Sequence, residues 1–218
     1  MHRSVFHDRG SAGELLGIEV AKAELDMPVV LGLPRGGVPV AAKVAEAIHA
    51  PLDVIVVRKL GVPDQPELAM GAIGENGVII VNDEVLGATR VDENEFAHVE
   101  RRERAELDRV LSSMRAVRPH QSLSGCTGII VDDGIATGAT ARAAIEVARA
   151  NGARHVIVAT PVAPADVVEA LTSTADSVVC LVQPAPFGSV GRWYHRFEAV
   201  SQAEVLELLS NAIERERE

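Results

Sequence analysis

Apolar residues in this chain fall into short unbroken runs, and between the runs they recur every three or four positions. That is the pattern of buried strands alternating with helices. PVVLGL at 28–33, bounded by Pro28 and a glycine-rich turn, predicts a buried strand; VPVAAKVAEAIHA after it has helical spacing, and LDVIVV at 52–57 predicts a second strand. GIIVD, TARAAIEVARA, HVIVAT, PADVVEALTST and SVVCLV then repeat the alternation, with Asn151-Gly152 supplying a left-handed helix stop. Short apolar strands separated by helices imply an α/β fold, a mostly parallel central sheet with helices on both faces. In that architecture ligands gather at the carboxyl ends of the strands.

Three segments depart from the alternation. SAGE at 11–14 matches a capping box between Ser11 and Glu14 and predicts an N-terminal helix over 11–25. The segment GVPDQPELAMGAIGENG at 61–77 is rich in glycine and proline and reads as a long excursion before the strand GVIIVN. From Asp92 to about Arg118 there is no Gly or Pro, and Phe96, Val99, Leu107, Val110, Met114 and Val117 lie at roughly helical spacing, so a long amphipathic helix is expected. Its RRER run at 101–104 is interleaved with Glu100, Glu103 and Glu106, which fits a solvated face of ion pairs better than an anion site. No repeat or linker divides the chain, and a single domain over 1–218 is expected, with its core at about 28–182 and a C-terminal segment from 183 to 218.

Composition narrows the partners. A chain of 218 residues, 47% hydrophobic, is long enough for one generous core. Its formal net charge of −10 argues against general affinity for nucleic acid backbones or anionic lipid, and so against an RNA-binding role. No run approaches the roughly 20 apolar residues of a membrane span, and MHRSVFHDRG lacks the apolar core of a signal peptide, so a cytoplasmic protein is expected. Cys126 and Cys180 are far apart without a ligand-spaced partner, which suggests two reduced thiols rather than a zinc or redox site.

The chemistry is concentrated in IIVDDGIATGAT, residues 129–140. Asp132 and Asp133 fall at the end of a predicted central strand, and the loop after them, nearly free of side chains, leads into a helix near Thr140. Helix N-terminal amides attract anions, small residues let the backbone approach one, and Thr137 and Thr140 add hydroxyls, so the loop reads as a phosphate cradle. It is neither a Walker loop nor G-x-G-x-x-G. Carboxylates repel phosphate but accept from sugar hydroxyls and bind Mg²⁺, so the whole string suits a 5-phosphorylated ribose.

This string resembles the phosphoribosyl-pyrophosphate signature of the type I phosphoribosyltransferases. The resemblance implies that Asp132 and Asp133 hold the ribose hydroxyls and, directly or through those hydroxyls or water, Mg²⁺, with Asp133 in a catalytic role. It implies too that Ala136, Thr137, Gly138, Ala139 and Thr140 wrap the 5-phosphate. Gly134 and Ala139 depart from the usual pattern, which has an aliphatic residue and commonly glycine there. A second loop of the family, for pyrophosphate, corresponds to GLPRGGVP at 32–39, where Gly36 and Gly37 bare the backbone and Arg35 supplies charge-assisted donors; the family often has a non-proline cis peptide there.

VVRKLG at 56–61 is the third match, adding Arg58 and Lys59 to the pyrophosphate set and implying a mobile lid over 60–77. From Leu60 to Thr89, however, the chain carries no Lys, Arg or His, unlike several relatives. Glu67 in that lid is a candidate proton donor or acceptor, set against an ordinary surface glutamate. Type I members bind the acceptor base under a variable hood, and Phe187, Trp193 and Tyr194 are candidates to stack on it; a small satellite core is the competing reading, and His195 reads as a surface histidine. The resemblance covers about Pro28 to Val182 and implies a transferase with phosphoribosyl pyrophosphate and a nitrogenous acceptor as partners; the family often forms dimers, which leaves a homodimer open. A non-catalytic sensor of phosphoribosyl pyrophosphate is the alternative, favoured by the lid without basic residues.

Overall fold

The computed structural model describes residues 5–89 and 91–217, apart from the Glu67 side chain. Five parallel strands form the central sheet in the order β2 (Leu52–Val54), β1 (Pro28–Gly32), β6 (Thr127–Val131), β7 (His155–Val162) and β8 (Ser177–Val182). The unbroken apolar runs occupy the middle of this sheet because both faces are covered. Alternation along the strands sorts the core: Val30, Ile129 and Val131 face one layer and Val29, Leu31 and Ile130 the other. The first layer is built by α1 (Arg9–Val20), α2 (Gly37–Ile48), α4 (Glu93–Val117) and α7 (Gln202–Glu216), the second by α5 (Ala139–Ala150) and α6 (Ala165–Thr172).

Several sequence expectations are corrected. The first helix spans Arg9–Val20 rather than 11–25, because Asp8 is its cap: the Asp8 carboxylate accepts from Ser11 N at 2.9 Å and the Ser11 hydroxyl accepts from Asp8 N at 3.0 Å. Beyond Val20 the chain turns back, and Ala23 and Leu25 pack onto the core from outside the helix. The strand expected at 52–57 ends at Val54, and Val57 opens a second sheet. The expected lid at 60–77 is a β-hairpin, β3 (Val57–Val62) and β4 (Gln65–Gly74), extended by β5 (Ile79–Val81). Its glycines mark close strand approach rather than a loop: a Cβ on Gly71 would lie 2.3 Å from the Ile80 carbonyl oxygen. Leu60, Met70 and Ile73 of the hairpin are fully buried. Its base is tied down by Arg115, which bridges buried Asp53 at 2.6 Å and Glu75 at 2.6 and 2.7 Å.

The short helix α3 (Asp83–Thr89) precedes α4, which matches its expected span and is capped by the Asp92 carboxylate on Asn94 N and Glu95 N. Arg104 pairs with Glu100 one turn away, as a solvated ion-paired face requires. Of the segment after 182, only the part up to residue 201 is irregular; α7 buries Val205 and Leu209 in the main core. Cys126 and Cys180 are unpaired and half-buried. Among the described residues no helix is long and apolar enough to cross a membrane.

Candidate functional site

The carboxyl ends of β1 and β6 meet at one point. Leu33 N donates to the Val131 carbonyl at 2.9 Å, so the loop after β1 sets out alongside the diacid that follows β6. That loop contains a cis peptide between Pro34 and Arg35 and enters α2 through Gly36 and Gly37. Both glycines are required by proximity. A Cβ on Gly36 would lie 2.2 Å from Asp133 Oδ2, and one on Gly37 would lie 2.5 Å from the Val131 carbonyl oxygen and 2.9 Å from Asp132 Cα. Arg35 is exposed above them and forms no ion pair among the described residues.

After the diacid the chain turns through Gly138, at φ 74°, into α5. Ala136, Thr137 and Thr140 are exposed around that N-terminus, and the Thr137 hydroxyl accepts from Ala139 N at 3.5 Å. An exposed helix start with small residues and hydroxyls is suited to a phosphate. Gly134 has a local explanation: Val190 fills the space an aliphatic side chain would take, and a Cβ on Gly134 would lie 2.3 Å from Val190 Cγ1. Gly134→Ala should therefore lower the thermal midpoint by several degrees, and adding Val190→Ala should restore most of it. Additive losses in the double variant, read by thermal unfolding, would refute the contact.

Electrostatics at the diacid are dominated by burial. Burial, reinforced by the neighbouring Asp133 charge, pushes the Asp132 carboxyl up to about 8, while Asp133 N donates to Asp132 Oδ1 at 2.9 Å. Burial also raises Asp133, opposed by the Arg9 guanidinium. The linkage has a definite sign. The unfolded chain releases the Asp132 proton near 3.8 and the folded chain near 8, so between these values the unfolded state binds fewer protons and stability falls as pH rises. Asp132→Asn should gain on the parent progressively from pH 4 to pH 8 in thermal midpoint; parallel curves across that window would contradict the buried, proton-holding carboxyl.

Strand β3 divides the two basic residues expected to act together. Arg58 points to α4, donating from Nε and Nη2 to Glu103 at 3.0 and 2.7 Å. Lys59, next in the strand, points the other way and lines a cavity of about 480 Å³ with Asn82, Ala139, Arg142 and Glu146. The structure thus brings Arg35, Gly36, Gly37, Asp132 and Asp133 together and Lys59 toward the start of α5, while Arg58 is committed to an ion pair. Glu67 belongs to β4, and its side chain lies outside the described residues.

Trp193 and Tyr194 are only 7% and 4% exposed, packed with Phe6, Ala12 and Val162 as a satellite core. Trp193 Nε1 donates to the Phe187 carbonyl at 3.0 Å, and Phe187 itself is half-buried. The Tyr194 hydroxyl donates to the Asp133 carbonyl at 2.5 Å, and burial raises its pKa. His195 is exposed, its ring 6.0 Å from that of His7.

Arg9 is the site residue that sequence reasoning missed. Its Nε donates to Asp133 Oδ2 at 2.7 Å, its Nη1 donates to the Glu198 carbonyl at 2.7 Å, and its guanidinium lies 3.9 Å from the Phe197 ring centroid. Residues 5–7 run beside 193–196, with Phe6 N donating to the Trp193 carbonyl and His195 N to the Phe6 carbonyl, and so deliver the start of α1 to the diacid. The D-x-x-S cap at Asp8 and Ser11 was legible and would have placed Arg9 on the first turn, but nothing in the sequence connects it with a residue 124 positions away.

Comparison with known proteins agrees with this fold. The profile of the phosphoribosyl transferase domain matches residues 11–191. A relative from Mycobacterium tuberculosis, named as a candidate phosphoribosyl transferase in strains CDC 1551 / Oshkosh and ATCC 25618 / H37Rv, is 51% identical over 208 residues, covering 95% of this chain and 47% of the relative. The chain thus spans about half the length of the curated relatives it matches. The crystal structure of TT1426 from Thermus thermophilus superposes with a TM-score of 0.89 at 41% identity, covering 94% of this chain and 98% of that one. With a matching fold and a domain profile spanning most of its length, the chain belongs to the phosphoribosyl transferase domain family.

Proposed function

We propose that the chain is a magnesium-dependent phosphoribosyltransferase that displaces pyrophosphate from phosphoribosyl pyrophosphate with a nitrogenous acceptor. The observation that carries this reading is the contact between two loops remote in sequence: the Gly36 backbone lies against the Asp133 carboxylate, with no room for a side chain between them. A pyrophosphate held by the first loop and a ribose held by the second would then share one anomeric carbon at their junction. Asp132 and Asp133 accept from the sugar hydroxyls, residues 136–140 cup the 5-phosphate, and Arg35 with the Gly36 and Gly37 backbone holds the leaving group.

Asp132 and Asp133 are adjacent oxygen donors that would hold a divalent ion together with oxygens of substrate and water, Asp132 giving up the proton that burial holds on it. Bound Mg²⁺ would supply neutralisation of pyrophosphate charge. The transition state resembles an oxocarbenium ion, stabilised by holding the sugar and the departing charge rather than by a covalent nucleophile. The acceptor is proposed to lie under residues 187–198, where Phe187 is only half-buried, and Glu67 is the group proposed to move its proton.

The second reading, a sensor that binds phosphoribosyl pyrophosphate without transfer, is favoured by a specific pair of observations. The lid from Leu60 to Thr89 has no basic residue, and Arg58 is occupied by Glu103. Labelled phosphoribosyl pyrophosphate, Mg²⁺ and a mixed metabolite extract distinguish the two: transfer yields a ribosylated product identifiable by mass together with released pyrophosphate. Tight calorimetric binding with neither product would establish the sensor.

A further inference from the structure

Asp133 is gripped by three separate parts of the chain. The Tyr194 hydroxyl holds its carbonyl, the Gly36 backbone presses on its carboxylate, and the Arg9 guanidinium donates to Oδ2. The Arg9 and Asp133 side chains are only 12% and 13% exposed. An ion pair buried to that degree adds little stability over a well-packed apolar pair, because both charges lose their hydration. Its distinctive contribution is geometric. The guanidinium is a rigid planar fork, and here Phe197 beneath it and the Glu198 carbonyl at Nη1 fix its plane before it reaches the carboxylate. Oδ2 is thereby enclosed between Arg9 and Gly36, and Oδ1 is the oxygen the guanidinium leaves unengaged.

We infer that Arg9 is a positioning residue for the sugar site: it locks the Asp133 side chain in the one orientation that presents Oδ1 to a ribose hydroxyl. The inference rests on reading the diacid as a ribose site. It also makes residues 5–9, which precede the predicted core, a working part of that site. Through Phe197 and Glu198, the orientation of the ribose-binding acid is set by the same segment that packs over Gly134.

Binding of two halves of the proposed substrate tests this. Ribose 5-phosphate and inorganic pyrophosphate, each with Mg²⁺, are titrated by calorimetry into the parent chain, Arg9→Gln, Arg9→Lys and Phe197→Leu. Arg9→Gln should weaken ribose 5-phosphate about tenfold to a hundredfold, the range for loss of a charge-assisted hydrogen bond, and leave pyrophosphate unchanged. Arg9→Lys should recover part of the loss, since it restores charge but not the fork. Phe197→Leu, which keeps the ion pair and removes its support, should show a smaller loss of the same kind. Equal weakening of both ligands would reduce Arg9 to a structural role, and unchanged ribose 5-phosphate binding would remove it from the site; either overturns the inference alone. A parent chain that binds pyrophosphate but not ribose 5-phosphate would overturn the reading of the diacid beneath it.

Discussion

Asp133→Asn should lower turnover by about a hundredfold or more, the scale expected when a positioned electrostatic group is lost from a reacting centre. The substitution keeps the shape of the side chain, and the amide oxygen still accepts from Arg9, so the hydrogen bond between the start of α1 and the strand end is weakened rather than severed. What disappears is the negative charge. An oxocarbenium-like centre forming beside the diacid loses a compensating charge at close range, and a neutral carboxamide accepts more weakly from the sugar hydroxyls. The asparagine variant should therefore remain folded, retain pyrophosphate affinity and fail in release of pyrophosphate from phosphoribosyl pyrophosphate with a metabolite extract as acceptor. Near-parental release would take Asp133 out of the mechanism.

Gly36→Ala should be comparably damaging for a steric reason. The added methyl would sit 2.2 Å from Oδ2 and 2.8 Å from Cγ of Asp133, so the carboxylate has to swing away, off Arg9 and off any bound sugar. A displacement of the order of 1 Å in a reacting group is enough to cost about a hundredfold in rate. The neighbour one position on supplies the control. A methyl on Gly37 would strike the Val131 carbonyl and Asp132 Cα, which are backbone atoms of the central strand's end and cannot rotate aside. Gly36→Ala should thus lose turnover and, because the buried Arg9–Asp133 pair is parted, some of its thermal midpoint as well, whereas Gly37→Ala, which displaces the backbone of the central strand's end, should lose far more of the midpoint. The pair is read by one activity assay and one melting curve on each variant. Retained activity in Gly36→Ala would contradict the contact between the two loops.

Both outcomes depend on residues that local pattern exposed. The IIVDDGIATGAT string and the PRGG turn were legible because each is a strand end followed by bare backbone, and such loops have few structural purposes beyond turning or holding a ligand. The long helix at Glu93–Val117 was legible for a related reason: its apolar stripe recurs turn by turn with no Gly or Pro to interrupt it. The hairpin at 57–74 was misread because its strand glycines are required by neighbours lying close against them, Pro66 at Gly61, Ile80 of β5 at Gly71 and Val147 of α5 at Gly74, contacts between elements that are invisible to local composition. Arg58 and Lys59 looked equivalent side by side, yet successive residues of a strand face opposite ways, which committed one to Glu103 and left the other beside α5.

What the sequence determined alone has a short range: the alternation of buried strands and helices, the stop at Asn151-Gly152 and the two bare-backbone turns that follow strand ends, because periodicity and turn chemistry act within a few residues. What the tertiary structure decided is which distant groups share a place. The arrival of Arg9 at Asp133, the seating of Val190 against Gly134 and the burial of Trp193 and Tyr194 against Phe6 all follow from packing between elements as distant in sequence as Phe6 and Tyr194, where no local physical constraint links one residue to the other.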